Sequence, residues 1–182
     1  AQKLLKEIIK LSPTSEYGLI SQAYLEIVSN NYQKAIELSN KAIQIKPDFV
    51  FSYLSRGIAY TGLKKYQQAI SDFTKAITLK PDYNEAYSYR GIAYSELKKF
   101  QQAITDFNKA ISLKSNFTDA YFNRGITYNE LQKYQQAIDD FNKVITLKPD
   151  YVDAYNYRGI AYLGLKKFQQ AITDFNKAIS LK

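Results

Sequence analysis

The 182-residue chain has no cysteine and no histidine. The first absence removes disulfides, thiolate metal sites and a cysteine nucleophile. The second removes the commonest general base and the commonest metal ligand. Without thiols the sequence is compatible with an oxidising or a reducing compartment, and its localisation stays unassigned. No apolar run approaches the roughly 20 residues needed to cross a bilayer, and no signal peptide is visible. Methionine is missing too, and the chain opens in mid-pattern, so it reads as a segment of a longer protein. With only four prolines and seven glycines, no Pro/Gly/Ser linker divides it. No stretch suggests strands.

What is present is a period. Lys-Pro-Asp recurs at Lys46-Pro47-Asp48, Lys80-Pro81-Asp82 and Lys148-Pro149-Asp150, in steps of 34 or a multiple of 34. The missing copy reads Lys114-Ser115-Asn116, in register. A fixed period near 34 residues describes a stack of one small unit, whose core grows repeat by repeat. Ending each unit after the aromatic that follows Pro-Asp gives 16–49, 50–83, 84–117, 118–151 and 152–182, the last truncated at its end. Residues 1–15 are then the second helix of a preceding truncated repeat, and all the units together make one solenoid domain. Each unit predicts two helices. In the second, Tyr53, Gly57 and Tyr60 lie at helical spacing, and so do Ala69, Phe73 and Ala76. Lys64-Lys65 leaves room only for a tight antiparallel turn. Pro81 ends the second helix, because proline disfavours helical geometry in the residue before it. Asp48, Asp82, Asn116 and Asp150 are candidate N-caps for the helices that follow.

These residues resemble the tetratricopeptide repeat family over essentially the whole chain. The family's aromatic, glycine and tyrosine of the first helix fall on Tyr53-Gly57-Tyr60, Tyr87-Gly91-Tyr94, Tyr121-Gly125-Tyr128 and Tyr155-Gly159-Tyr162. Its second-helix pattern falls on Ala69-Phe73-Ala76-Pro81, Ala103-Phe107-Ala110, Ala137-Phe141-Val144-Pro149 and Ala171-Phe175-Ala178. The unit at 16–49 is degenerate, with Ala23 for the glycine, Glu26 for the tyrosine and Ser39 for the aromatic. The resemblance implies an all-α solenoid, a right-handed superhelix of antiparallel helix hairpins. Glycine and alanine at facing positions should let helices approach closely, with aromatics filling the space between successive hairpins.

The resemblance also implies a partner groove lined by the first helix of each unit. The matching positions are Tyr17, Ile20, Tyr24, Ile27, Phe51, Leu54 and Ile58, then Glu85, Ser88, Glu96, Asp119, Asn129, Glu130, Asp153 and Asn156, with Ile92, Ile126 and Ile160 along the floor. The expected groove runs from apolar to acidic. An exposed apolar patch of this kind marks an interaction surface. The alternative is that Tyr17 to Phe51 pack against a preceding repeat. Some family members grip a C-terminal carboxylate with groove lysines and asparagines. The ninth positions here are Tyr24, Ile58, Ile92, Ile126 and Ile160, so that clamp is absent.

The net charge of +8 invites a nucleic-acid reading. Lysine placement argues against it. Lys64-Lys65, Lys98-Lys99, Lys133 and Lys166-Lys167 fall at hairpin turns, and Lys46, Lys80, Lys114, Lys148 and Lys182 at helix C-termini, where a cation suits the dipole. Lys75, Lys109, Lys143 and Lys177 each follow an aspartate by three residues, a spacing that pairs on a helix surface. A groove that reads bases needs cations and polar readers inside it.

Nothing points to catalysis, to a cofactor or to a metal. The glycines form no phosphate loop, and carboxylates recur singly rather than as a converging pair. Asn116-Phe117-Thr118 is a formal glycosylation acceptor. The reading is a non-enzymatic protein-interaction scaffold that docks a protein or peptide segment in its groove. The alternative is a structural spacer or self-associating filament, motivated by near-identity of residues 90–114 and 158–182. A third option is targeting repeats of a larger protein.

One further pattern predicts a contact. Arg56, Arg90, Arg124 and Arg158 occupy the seventh position of their units, and Asp72, Asp106, Asp140 and Asp174 the twenty-third. The unit at 16–49 has neither, carrying Gln22 and Leu38. In a hairpin turning near position fifteen the two lie at one height on facing helices. An Arg–Asp pair in each repeat follows.

Overall fold

The computed structural model describes residues 2–181, so Lys182 lies outside the described residues. The described residues form helices α1 (Gln2–Leu11), α2 (Glu16–Val28), α3 (Tyr32–Ile45), α4 (Val50–Gly62), α5 (Tyr66–Leu79), α6 (Asn84–Glu96), α7 (Phe100–Leu113), α8 (Thr118–Glu130), α9 (Tyr134–Leu147), α10 (Val152–Gly164) and α11 (Phe168–Ser180), with no strand among them. They gather into two compact units, one ending at Leu97 and the other beginning at Lys98. In the first, α1 packs on α2, and α2 to α6 follow as successive packed neighbours. In the second, α7 to α11 do the same.

The two helix types bury different chemistry. The second helix of each pair is amphipathic. On α5, Ala69, Ile70, Phe73 and Ala76 are buried along one stripe, and Ser71, Thr74 and Lys75 face water. The first helix buries mostly small residues, on α4 Ser52, Ser55, Gly57 and Ala59, because other helices crowd it on more than one side. Gly57, Gly125 and Gly159 admit rings rather than helix backbones. A Cβ on Gly57 would stand 2.5 Å from the Phe73 ring, and one on Gly125 2.7 Å from Phe141. The same rings reach the next hairpin, where Phe73 stacks on Tyr89 at 5.7 Å and Phe141 on Tyr157 at 6.1 Å. So the close approach expected between two helices is an approach of helix to aromatic side chain.

Each turn between the two helices of a repeat unit has one residue in the left-handed region, at Asn30 (φ 61°), Lys64 (58°), Lys98 (57°), Gln132 (57°) and Lys166 (59°). The Lys64 N–H donates to the Thr61 carbonyl at 2.9 Å and the Lys65 N–H to the Tyr60 carbonyl at 2.8 Å, which closes a Schellman motif. Those bonds satisfy otherwise orphaned carbonyls and hold a conformation that costs a residue with a Cβ about 1–2 kcal/mol.

The connections between pairs correct one expectation. The N-cap residues are Phe49, Tyr83, Phe117 and Tyr151, without a side-chain cap, and not Asp48, Asp82, Asn116 or Asp150, which lie one residue earlier and are exposed. Phe49 and Tyr83 are buried. Burying a large aromatic contributes about 1.5–3 kcal/mol and outweighs a cap bond of about 1 kcal/mol. Proline also proves dispensable. Lys80, before Pro81, has φ −139° and ψ 90°, and Lys114, before Ser115, has φ −144° and ψ 96°. The expected result for Ser115→Pro is a gain of about 0.4–1 kcal/mol in urea unfolding, since the folded backbone already suits proline and only the unfolded chain loses freedom.

Candidate functional site

The first helices are registered by a ladder of arginines. Arg56 Nε and Nη2 donate to the two carboxylate oxygens of Asp72 at 2.8 and 2.7 Å. Arg124 does the same to Asp140 at 2.8 and 2.6 Å, and Arg158 to Asp174 at 2.7 and 2.6 Å. Each guanidinium also reaches one repeat back through Nη1, to Asn40, Asn108 and Asn142 respectively. Arg90 donates to Thr74 at 3.1 Å. Arg90 lies in the first unit, and Asp106, which is buried, in the second. Tyrosine rings flank the cations, Tyr53 at 5.7 Å from Arg56 and Tyr121 at 5.5 Å from Arg124. Burial pushes the Asp72 and Asp140 carboxyls above the usual range, outweighing the guanidinium beside each. The carboxylates face arginine, so the expected i,i+3 partners Lys75, Lys143 and Lys177 stay exposed. The backward bond to asparagine was missed at the sequence level. Its signal is there, because the asparagine precedes the arginine by the same 16 residues that separate arginine from aspartate.

On the first unit this register leaves an open apolar cleft of about 260 Å³. Of the residues expected in the groove it brings together Ile20, Tyr24, Phe51, Leu54, Ile58 and Glu85, and it adds Leu5, Ser21, Ser55, Tyr83 and Tyr89. Tyr24 and Phe51 are exposed at 45% and 42% and form the rim. The space exists because Ser21 and Ser55 are small where Tyr89 and Tyr157, at the same place in their units, are large. Leu5 on α1 closes one side. Burial, assisted by the Glu85 carboxylate, pushes the Tyr83 phenol above its ordinary value, so it stays a neutral donor.

The other expected groove residues lie elsewhere. Tyr17 meets the Phe49 ring edge-on at 4.8 Å, and Ile27 packs on the core of the first two hairpins. Glu96 ends α6, where its carboxylate accepts a bond from the Tyr66 hydroxyl at 3.0 Å. Asp119 and Asp153 flank Tyr151 and help raise its phenol, after burial. Asp119 also lines a shallow cleft with Lys114 and Lys148. Glu130 is exposed at the end of α8. Of the floor residues, Ile126 packs against the core while Ile160 is 46% exposed. Asn129, expected along the groove, donates from its side-chain amide to the Tyr157 carbonyl at 3.1 Å. Among the described residues, no group of acidic residues able to hold a metal ion occurs and no helix is long and apolar enough to cross a membrane.

Comparison with solved structures finds several of the same fold. A crystal structure of MamA is 28% identical with a TM-score of 0.78, covering 87% of this chain and 93% of that one. YrrB, described as a TPR protein with an unusual peptide-binding site, is 21% identical with a TM-score of 0.72, covering 100% and 94%. MamA 41-end from Desulfovibrio magneticus RS-1 is 18% identical with a TM-score of 0.78, covering 99% and 94%. Comparison with curated protein sequences gives no match. The profile of the tetratricopeptide repeat matches residues 50–83, 85–117, 118–151 and 152–182. With four consecutive matched repeats, hairpins of the expected length and an all-α repeat solenoid in common with these structures, the chain belongs to the tetratricopeptide repeat family and is a protein-interaction scaffold.

Proposed function

We propose that the chain is a non-enzymatic scaffold that captures a protein or peptide segment on the first-helix face of its N-terminal repeats. The observation that carries this reading is the open apolar cleft between Ile20, Tyr24, Phe51, Leu54 and Ile58. Large apolar side chains left in contact with water on a rigid helical floor favour association. Lysines stand at turns and helix ends, several of them over aromatic rings, such as Lys80 at 4.9 Å from Tyr83. That placement supports a protein partner over a nucleic acid, which needs cations within the groove. The test is capture by a Tyr24→Ser, Phe51→Ser variant. Affinity for a partner should fall about tenfold or more, with far-UV circular dichroism unchanged. Undiminished capture would sink this reading.

A second reading, self-association, is favoured by the near-identity of residues 90–114 and 158–182. Sedimentation should show a concentration-dependent oligomer. A monomer at all concentrations would eliminate it.

A further inference from the structure

The repeats contain their own answer to what fits the cleft. Two repeats on from Leu54 stands Phe122, two on from Tyr83 stands Tyr151, and two on from Tyr89 stands Tyr157. In the second unit the Phe122 ring sits 5.0 Å from Tyr151 and 5.5 Å from Tyr157, meeting the latter edge-on at 85°. It also lies 5.9 Å from Phe141, the counterpart of Phe73. The chain thus places an aromatic ring where the N-terminal cleft has only the shorter Leu54, and that ring gains three aromatic neighbours. Tyr83 and Tyr89 present the matching surfaces to the open cleft. Edge-on and offset aromatic pairs contribute beyond the area they bury. At the same mouth Glu85 is half-buried and, among the described residues, is the only acidic one lining the cleft.

We propose that this cleft accepts an aromatic side chain from the partner segment, with a cationic neighbour drawn to Glu85. The proposal rests on the groove reading above and names the chemistry of its occupant. Leu54 is then the specificity-determining residue. A leucine at this position keeps the site open, and a phenylalanine, as at position 122, fills it from within.

The experiment is a titration of the full chain with N-acetyl-phenylalaninamide, N-acetyl-leucinamide and N-acetyl-glycinamide, followed through the methyl resonances of Ile20 and Ile58. The phenylalanine amide should give saturable shifts, the leucine amide should bind about fivefold or more weakly, and the glycine amide should give none. Leu54→Phe should melt at or above the parent temperature and lose the phenylalanine-amide response. Acetyl-Lys-Phe-amide should bind about twofold to fivefold better than acetyl-Glu-Phe-amide, a preference that Glu85→Gln removes. Equal binding of the leucine and phenylalanine amides, a persisting response in Leu54→Phe, or a lowered melting temperature in that variant would each overturn the proposal. If partner capture is abolished by the Tyr24 and Phe51 changes, yet the phenylalanine amide neither binds nor competes, the groove reading stands and the aromatic anchor falls.

Discussion

Asp140→Ala should destabilise the protein by about 3–5 kcal/mol, because it strands a largely buried arginine. Arg124 is 17% exposed and donates both arms of its fork to Asp140, whose own side chain is 6% exposed. The companion expectation separates a valuable pair from a costly vacancy. Arg124→Gln with Asp140→Leu copies the natural pair Gln22 and Leu38, in which Leu38 is a buried core residue. That double variant should lie within about 1 kcal/mol of the parent, since apolar packing replaces both the ion pair and its desolvation cost. Burial raises the Asp140 carboxyl, while Asp140 raises the Arg124 guanidinium against its own burial, so cost and gain oppose one another in the pair. Urea unfolding of the two singles and the double gives the coupling energy. If Asp140→Ala costs under about 1 kcal/mol, the ladder is ornament inherited by duplication.

The second large effect lies at the next residue along α9. Phe141→Ala should cost about 3–5 kcal/mol, because the ring is wholly buried between Gly125 and the Phe122 and Tyr157 rings. Gly125→Ala pushes a methyl into the same ring at 2.7 Å and should cost about 1–3 kcal/mol. The unit at 16–49 holds the compensated combination, Ala23 with Ser39. Gly125→Ala in a Phe141→Ser background should therefore be close to neutral. Additive losses in that cycle would show that glycine and ring do not share one space.

Much of this was readable in one dimension. The 34-residue period, the helix pairs and the turn at position fifteen follow from spacing alone, because each repeat is built from near-neighbour contacts. The Arg–Asp pairs were legible from co-occurrence, as both residues are absent from the same unit. What spacing missed are contacts in which a side chain crosses between repeats. The asparagine one repeat back is one. The Tyr66–Glu96 bond, which occupies a carboxylate expected in the groove, is another.

The sequence by itself determined the repeat period, the helical character, the small residues that admit the rings and the residue types along the first-helix face. Local propensity and a strict period suffice for these. The tertiary structure alone decided that aromatics, and not the preceding Asp or Asn, stand at the N-cap positions, and which candidate groove residues converge. Tyr17 and Ile27 have the composition of groove residues, yet Tyr17 meets Phe49 and Ile27 joins the core, while Ser21 and Ser55 open a cleft by what they fail to fill. Burial is a property of neighbours distant in sequence, and an empty volume has no residue of its own to announce it.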